Sequence, residues 1–298
     1  MRVRSLRLVR ESKLAELIPL PSADAVLEAS GVVARGRDCF VIFDNVRRVA
    51  SIDRDLAPGS SRHRWMGPAR ASEGYEDIAY SPHTRRFYLL VEAEKHPDGT
   101  YKAVIEECDE RFVHRRRGWV DFAFERRNTG FEGLSALRWQ GRDYLLALCE
   151  GNRCRAGRKG RTPGGGRIHV LQKQGAGWRP IAQIKLPRRV MFEDYSALAV
   201  RGDRIAVVSQ RTSQLWLGTL RRSDWTIAGR GRLYEFPRGK TGKAKKKKKN
   251  KGKLQYCTIE GVSWLSANTF VTVSDLTKRG YAPRCGRKDQ SIHLFRLP

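Results

Sequence analysis

One motif recurs along this 298-residue chain, and it restricts the possible folds more than any other feature. Four segments carry it: "GYEDIAYSPHTRRFYLLVE" (74–92), "GFEGLSALRWQGRDYLLALCE" (130–150), "MFEDYSALAVRGDRIAVVSQ" (191–210) and "TIEGVSWLSANTFVTVSD" (258–275). Each opens on an aromatic residue or Ile before a Glu. Asp77, Gly133, Asp194 or Gly261 follows, and Ala79, Ser135, Ser196 or Ser263 stands three places after the Glu. A short polar turn then leads into an apolar strand that closes on Glu92, Glu150, Gln210 or Asp275. A fifth copy, "LEASGVVARGRDCFVIFD" (27–44), fits from Ser30 onward and closes on Asp44; Leu27 holds its Glu position and Glu28 falls one place late.

Further strand-like runs separate the copies, among them "YKAVIEE", "GWVDFAFE", "SQLWLGTL" and "GRLYEFP". Four short strands per repeat, in repeats of this length, predict a β-propeller. The expected fold is therefore all-β: a single five-bladed propeller domain over 1–298, with blades starting near 27, 76, 132, 193 and 260. Only one more strand, "QSIHLFRLP", follows the last copy, so the N-terminal "RVRSLRLV" is expected to supply the missing outer strand and close the ring, which leaves no open sheet edge. The best helical period, "ESKLAELI", is short.

The inner strand of a blade descends beside the axis and the second strand climbs back. A residue opening the first and one closing the second therefore share a face. This brings Glu76 with Glu92, Glu132 with Glu150, Glu193 with Gln210, Glu260 with Asp275, and adds Asp44: a ring of carboxylates around a channel mouth. Like charges so close repel unless neutralised. A hard cation does this, and Ca²⁺ takes six to eight oxygens. Glu76, Glu132, Glu193 and Glu260 are the candidate metal ligands, with Ser30, Ser135, Ser196 and Ser263 as hydroxyl or supporting groups. Alternatively, the Glu side chains accept backbone hydrogen bonds and lock blade to blade.

Basic residues should rim this mouth: Arg47, Arg48, Arg153, Arg155, Arg211, Lys278 and Arg279 are the candidate ligand-binding groups, with Arg126, Arg127, Arg158, Arg161, Arg188 and Arg189 on neighbouring loops. The formal net charge is +28, which favours polyanionic partners; an Arg-rich composition alone would also produce a solvated basic surface. The run "RGKTGKAKKKKKNKGK" (238–253) holds nine Lys and one Arg and reads as a disordered insert able to add salt-sensitive affinity for nucleic acid.

Other classes find little support. No run approaches a membrane span and the N-terminus lacks a signal-peptide core. The cysteines (Cys39, Cys108, Cys149, Cys154, Cys257, Cys285) show neither CxxC nor zinc spacing, and are read as reduced thiols of a cytoplasmic monomer, Cys39 and Cys149 being core residues. The six His have no recognisable Ser or Cys partner, and "TPGGGR" (162–167) is not a P-loop.

The "EG" starts, Glu132 to Ser135 and Glu260 to Ser263, resemble blade starts of phytase-like bacterial propellers. Five blades with a Glu or Ser each at the axis resemble the calcium-activated apyrases. These resemblances cover five short segments and imply a central Ca²⁺ with hydrolysis of a phosphoester or phosphoanhydride by a metal-activated water. Glu92, Glu150 and Asp275 are the candidate catalytic carboxylates. Two functions stand: a calcium-dependent hydrolase or binder of a phosphorylated small molecule, and a non-enzymatic basic scaffold for nucleic acid or an acidic protein.

Overall fold

The computed structural model of the chain describes residues 3–20, 22, 24–67, 74–127, 129–239 and 253–298. Twenty-one strands account for nearly all of its regular structure. β1 (Arg4–Ser5) and β2 (Arg7–Lys13) precede four antiparallel ladders. The first is β3 (Ala29–Arg35), β4 (Asp38–Phe43), β5 (Val49–Asp53) and β6 (Arg64–Met66). The second is β7 (Tyr75–Ser81), β8 (Arg86–Lys95), β9 (Tyr101–Cys108) and β10 (His114–Phe124). The third is β11 (Phe131–Trp139), β12 (Arg142–Cys149), β13 (Arg167–Gln174) and β14 (Gly177–Lys185). The fourth is β15 (Ala197–Arg201), β16 (Arg204–Ser209), β17 (Gln214–Arg221) and β18 (Thr226–Glu235). β19 (Ile259–Trp264), β20 (Thr269–Ser274) and β21 (Ser291–Arg296) complete a last ladder with β2 on the outside.

The innermost strands β3, β7, β11, β15 and β19 pack in cyclic order, the last against the first. Each neighbouring pair of ladders encloses its own apolar cluster. One holds Phe40, Phe87 and Phe112, between the first and second ladders. Another holds Leu148, Val170 and Trp216, between the third and fourth. Burying one such side chain stabilises the fold by about 1.5–3 kcal/mol, so the ladder faces, more than any connection, hold the ring together.

The N-terminus crosses a junction. β1 pairs in parallel with β18 of the fourth ladder, while β2 pairs antiparallel with β21 of the last. The outer edges of the second and third ladders also meet, through the parallel contact Val120↔Trp178. The segment read as helical instead continues β2 and makes one 3-10 turn, Leu14–Glu16, because Leu14, Leu17 and Ile18 are drawn into the core. Residues 240–252 of the Lys-rich insert lie outside the described residues; its ends meet where the Gly239 N–H donates to the Lys253 carbonyl at 3.0 Å.

Two cysteine expectations are corrected. Cys149–Cys154 and Cys257–Cys285 are disulfides, and Cys39 and Cys108 are buried. The folding of separate loops onto β12 and beside β19 brings partners together that no linear spacing rule associates. Among the described residues no helix is long and apolar enough to cross a membrane.

Candidate functional site

The inner strands begin with a repeated irregularity. The ladder register slips between Ala29 and Gly31, Tyr75 and Asp77, Phe131 and Gly133, and Ile259 and Gly261. The skipped residues are Ser30, Glu76, Glu132 and Glu260. A bulge at this place re-aims the side chain. In the fourth ladder Ala197 pairs Val208, as Gly133 pairs Leu148, so Ser196 holds the equivalent position.

This changes the sequence alignment in two copies. Ser30 and Ser196, not Leu27 and Glu193, correspond to the three inner Glu residues. Leu27 is buried in an apolar cluster. Glu193 is exposed and outside the carboxyl cluster, in a loop whose Phe192 and Tyr195 turn inward and leave it facing out. The metal-ligand role expected for Glu193 has no geometric basis.

The Gly after the Glu also gains a reason. A Cβ on Gly133 would lie 2.9 Å from the Leu198 nitrogen, and one on Gly261 would lie 2.9 Å from the Val32 nitrogen. Adjacent inner strands approach too closely there for a side chain. Asp77 holds the same place in the second ladder and uses its carboxylate across the junction.

Side chains bond every junction of the ring to backbone. The Ser30 hydroxyl donates to the Tyr75 carbonyl. Asp77 Oδ2 accepts from the Leu134 N–H at 2.6 Å, and Ser135 Oγ from the Val200 N–H at 3.1 Å. The Ser196 hydroxyl donates to the Ile259 carbonyl at 2.8 Å, and Ser263 Oγ accepts from the Ala34 N–H at 3.1 Å. The serines expected near a metal are therefore junction locks.

The glutamates are left to one another. The Glu76 and Glu132 carboxyl groups lie against each other, and each raises the proton affinity of the mouth they share. Burial, then the charges of Glu92 and Asp44, push Glu76 up to about 8. Glu132 is raised well above the carboxylate range by burial, then by Glu76, Glu150 and Glu260. Glu260 is raised likewise by burial, Asp275 and Glu76, against Lys278 and a hydrogen bond from Gln210. All three retain partial solvent exposure, as groups lining a channel do.

The residues closing the second strands form an outer tier. Glu92 is raised by burial and Asp44, Glu150 by burial and Asp194. Asp275 is raised to about 6 by burial, against the pull of Lys278 at 3.7 Å and the Leu276 N–H. Asp194, which the sequence reading placed only as a motif residue, joins this tier; it accepts from the Ser209 hydroxyl at 2.5 Å.

Of the expected basic rim, Arg211 and Lys278 reach the cluster, as do Arg161 and Arg127 from the neighbouring loops. Arg155 instead pairs with Glu125 at 2.6 Å, and Arg48 lies over the Trp65 ring. Arg153 sits near Arg167, while Arg47 and Arg279 are exposed. Below the acidic mouth the axial channel continues as a cavity of about 400 Å³ lined by all five inner strands, with Val32, Ile78, Leu134, Leu198 and Val262 in its wall.

Two His constellations escaped sequence reading. Ser274 Oγ lies 2.9 Å from His293 Nε2, and His293 Nδ1 lies 3.2 Å from Glu11 Oε2. This has the connectivity of a nucleophile, base and acid. Yet Ser274 is 1% and His293 0% exposed, so no substrate reaches them, and the trio serves to join β2, β20 and β21. The second, Cys149, Cys154 and His169, places three potential ligand atoms within 4.8 Å of one another. Among the described residues that trio, and no set of mouth carboxyls, meets this separation.

This architecture is that of a β-propeller protein, and a solved structure of similar fold agrees. Glutaminyl cyclase of Myxococcus xanthus superposes with a TM-score of 0.51 at 12% identity, over 99% of this chain and 98% of that one. The PQQ-bound aldose sugar dehydrogenase of Streptomyces coelicolor gives 0.47 at 13% identity, over 98% of each chain. No protein-family model and no curated protein matches the sequence. At these identities the likeness concerns the fold alone, and it does not bear on the phytase-like or apyrase resemblance.

Proposed function

We propose that the chain is a five-bladed β-propeller whose acidic axial mouth binds Ca²⁺ and, through it, a phosphorylated small molecule. The observation carrying this reading is the convergence of Glu76, Glu132 and Glu260 on the axis, backed by Glu92, Glu150 and Asp275. Their oxygens are the hard donors that calcium prefers, and their raised proton affinity signals negative charge in need of neutralisation. Because the carboxyls do not draw within 4.8 Å as a trio, waters or ligand oxygens would complete the coordination.

Bound calcium would neutralise the mouth and polarise a phosphate oxygen. Arg161, Arg211 and Lys278 stand where they can pair with the remaining phosphate charge. Asp275 is the carboxyl best placed to take a proton near neutral pH, since its pKa is about 6. Hydrolysis is the activity this arrangement supports, with Glu92 and Glu150 holding the neighbouring charge.

A second reading is a polyanion-binding scaffold. It rests on the +28 charge and on a groove of about 680 Å³ between the second and third ladders, lined by Arg86, Arg115, Arg116, Arg142, Lys173 and Trp178 with the acids Glu107 and Asp143. The cytoplasmic location expected from sequence sits poorly with two disulfides, which persist in oxidising compartments. Calorimetric titration of chelator-treated protein with Ca²⁺ tests the first reading. Wild type should bind, and Glu132→Gln and Glu260→Gln should each weaken binding by about tenfold or more. Absence of binding at millimolar Ca²⁺, with salt-dependent nucleic-acid binding instead, would favour the scaffold.

A further inference from the structure

The Cys149–Cys154 disulfide lies against a histidine, and this arrangement has no part in the mouth chemistry. Cys154 Sγ is 3.5 Å from His169 Nε2, which also meets the Gln183 amide at 3.2 Å. A disulfide needs no imidazole beside it to form or to persist. His169 is 4% exposed, so its ring nitrogen meets only protein groups: the Gln183 amide and the Cys154 sulfur. The His169 nitrogen and the two sulfurs each offer one ligand atom, and these lie within 4.8 Å of one another.

We propose that, once the Cys149–Cys154 bond is reduced, the two sulfurs and His169 form a binding site for a soft or borderline cation of the zinc type. Two thiolates and an imidazole favour Zn²⁺ over Ca²⁺ or Mg²⁺, and three protein ligands leave a fourth position for water or another donor. Phe122 and Phe131 pack on the imidazole, with ring centroids 4.4 Å and 5.5 Å away.

The three ligands come from elements that hold their places without the disulfide. His169 lies in β13, paired on both sides, to Ala147 and to Gln183. Cys149 ends β12. Cys154 belongs to a loop anchored by buried Asn152. The Asn152 amide donates to the Gly160 and Phe192 carbonyls at 2.8 and 3.1 Å, and its oxygen accepts from the Gly165 N–H and the Tyr195 hydroxyl at 2.8 and 2.9 Å. These bonds also hold Arg153 and Cys154 in the left-handed region, at φ 57° and 55°. Reduction therefore leaves two thiols facing the imidazole and does not release the loop. Cys154 is partly exposed, so a reductant can reach it.

Reduction with a phosphine breaks the S–S bond; the phosphine becomes a phosphine oxide, water supplies the oxygen, and both sulfurs leave as thiols. Zinc binding then releases the two thiol protons to solvent.

The test is an anaerobic zinc titration of phosphine-reduced and of oxidised protein against a chromophoric chelator. Reduced wild type should bind one zinc ion per chain at this site and oxidised protein none. Cobalt in place of zinc should give a thiolate-to-metal charge-transfer band. His169→Gln, which keeps every cysteine, should weaken binding by about 100-fold or more, and Cys154→Ser should do the same. Equal zinc binding by reduced and oxidised wild type would overturn the proposal. So would undiminished affinity in His169→Gln, because the other thiols would then account for it. If Cys154→Ser fails to fold, His169→Gln decides alone, its oxidised form serving as the folding control by circular dichroism.

Discussion

Two rings of polar side chains encircle the same axis within a few residues of each other, and they behave oppositely. Ser30, Asp77, Ser135, Ser196 and Ser263 each commit to a backbone group of the next ladder. Glu76, Glu132 and Glu260 face one another, and burial with the neighbouring carboxylates raises the pKa of each. The sequence motif "EG…S" draws on both rings: its Glu faces the axis and its Ser bonds the next ladder. The difference bears on the two explanations for the recurrent glutamates: other residues already bond each junction to backbone.

That separation predicts unequal consequences. The largest stability effect should come from Asp77→Ala, which leaves the buried Leu134 and Ile78 N–H groups without their acceptor; a loss of about 2–4 kcal/mol is expected by chemical denaturation. A change near zero would mean that the lock ring is dispensable. Ser196→Ala should cost less, about 1 kcal/mol, because one hydrogen bond to one carbonyl is lost.

The mouth should respond to pH in the opposite sense to a structural ion pair. Glu76, near 8, and Asp275, near 6, keep protons that the unfolded chain releases near pH 4.5 and 3.8. Between those limits the folded state binds more protons, so stability falls as pH rises. In chelator-treated protein, Tm should decline between about pH 5 and pH 8, by about 2–4 °C for each kcal/mol lost. Glu132→Gln removes one member of the cluster and should flatten the decline; added Ca²⁺ should reverse it. A Tm that rises across this window would refute the assignment of these protons.

The smallest expected effect is that of Glu193→Gln. The side chain is exposed and outside the cluster, so calcium affinity and Tm should stay within measurement error of wild type. A tenfold loss of calcium affinity would restore it to the site.

Sequence alone determined the repeat, the all-β ladders, the role of the N-terminus at the last ladder, and the meeting of Glu132 with Glu150 and of Glu260 with Asp275. These follow from alternation and from strands that run down and back, which are local and periodic properties. It misplaced Glu193 because the motif match "FED" carried no record of the three-residue slip that puts Ser196 at the bulge. Tertiary structure alone decided which rim cations reach the acids, which cysteines pair, and that His169 lies against a sulfur. Those contacts join residues on separate loops and ladders, and their distances depend on how the ladders pack around the axis, a property no spacing along the chain encodes.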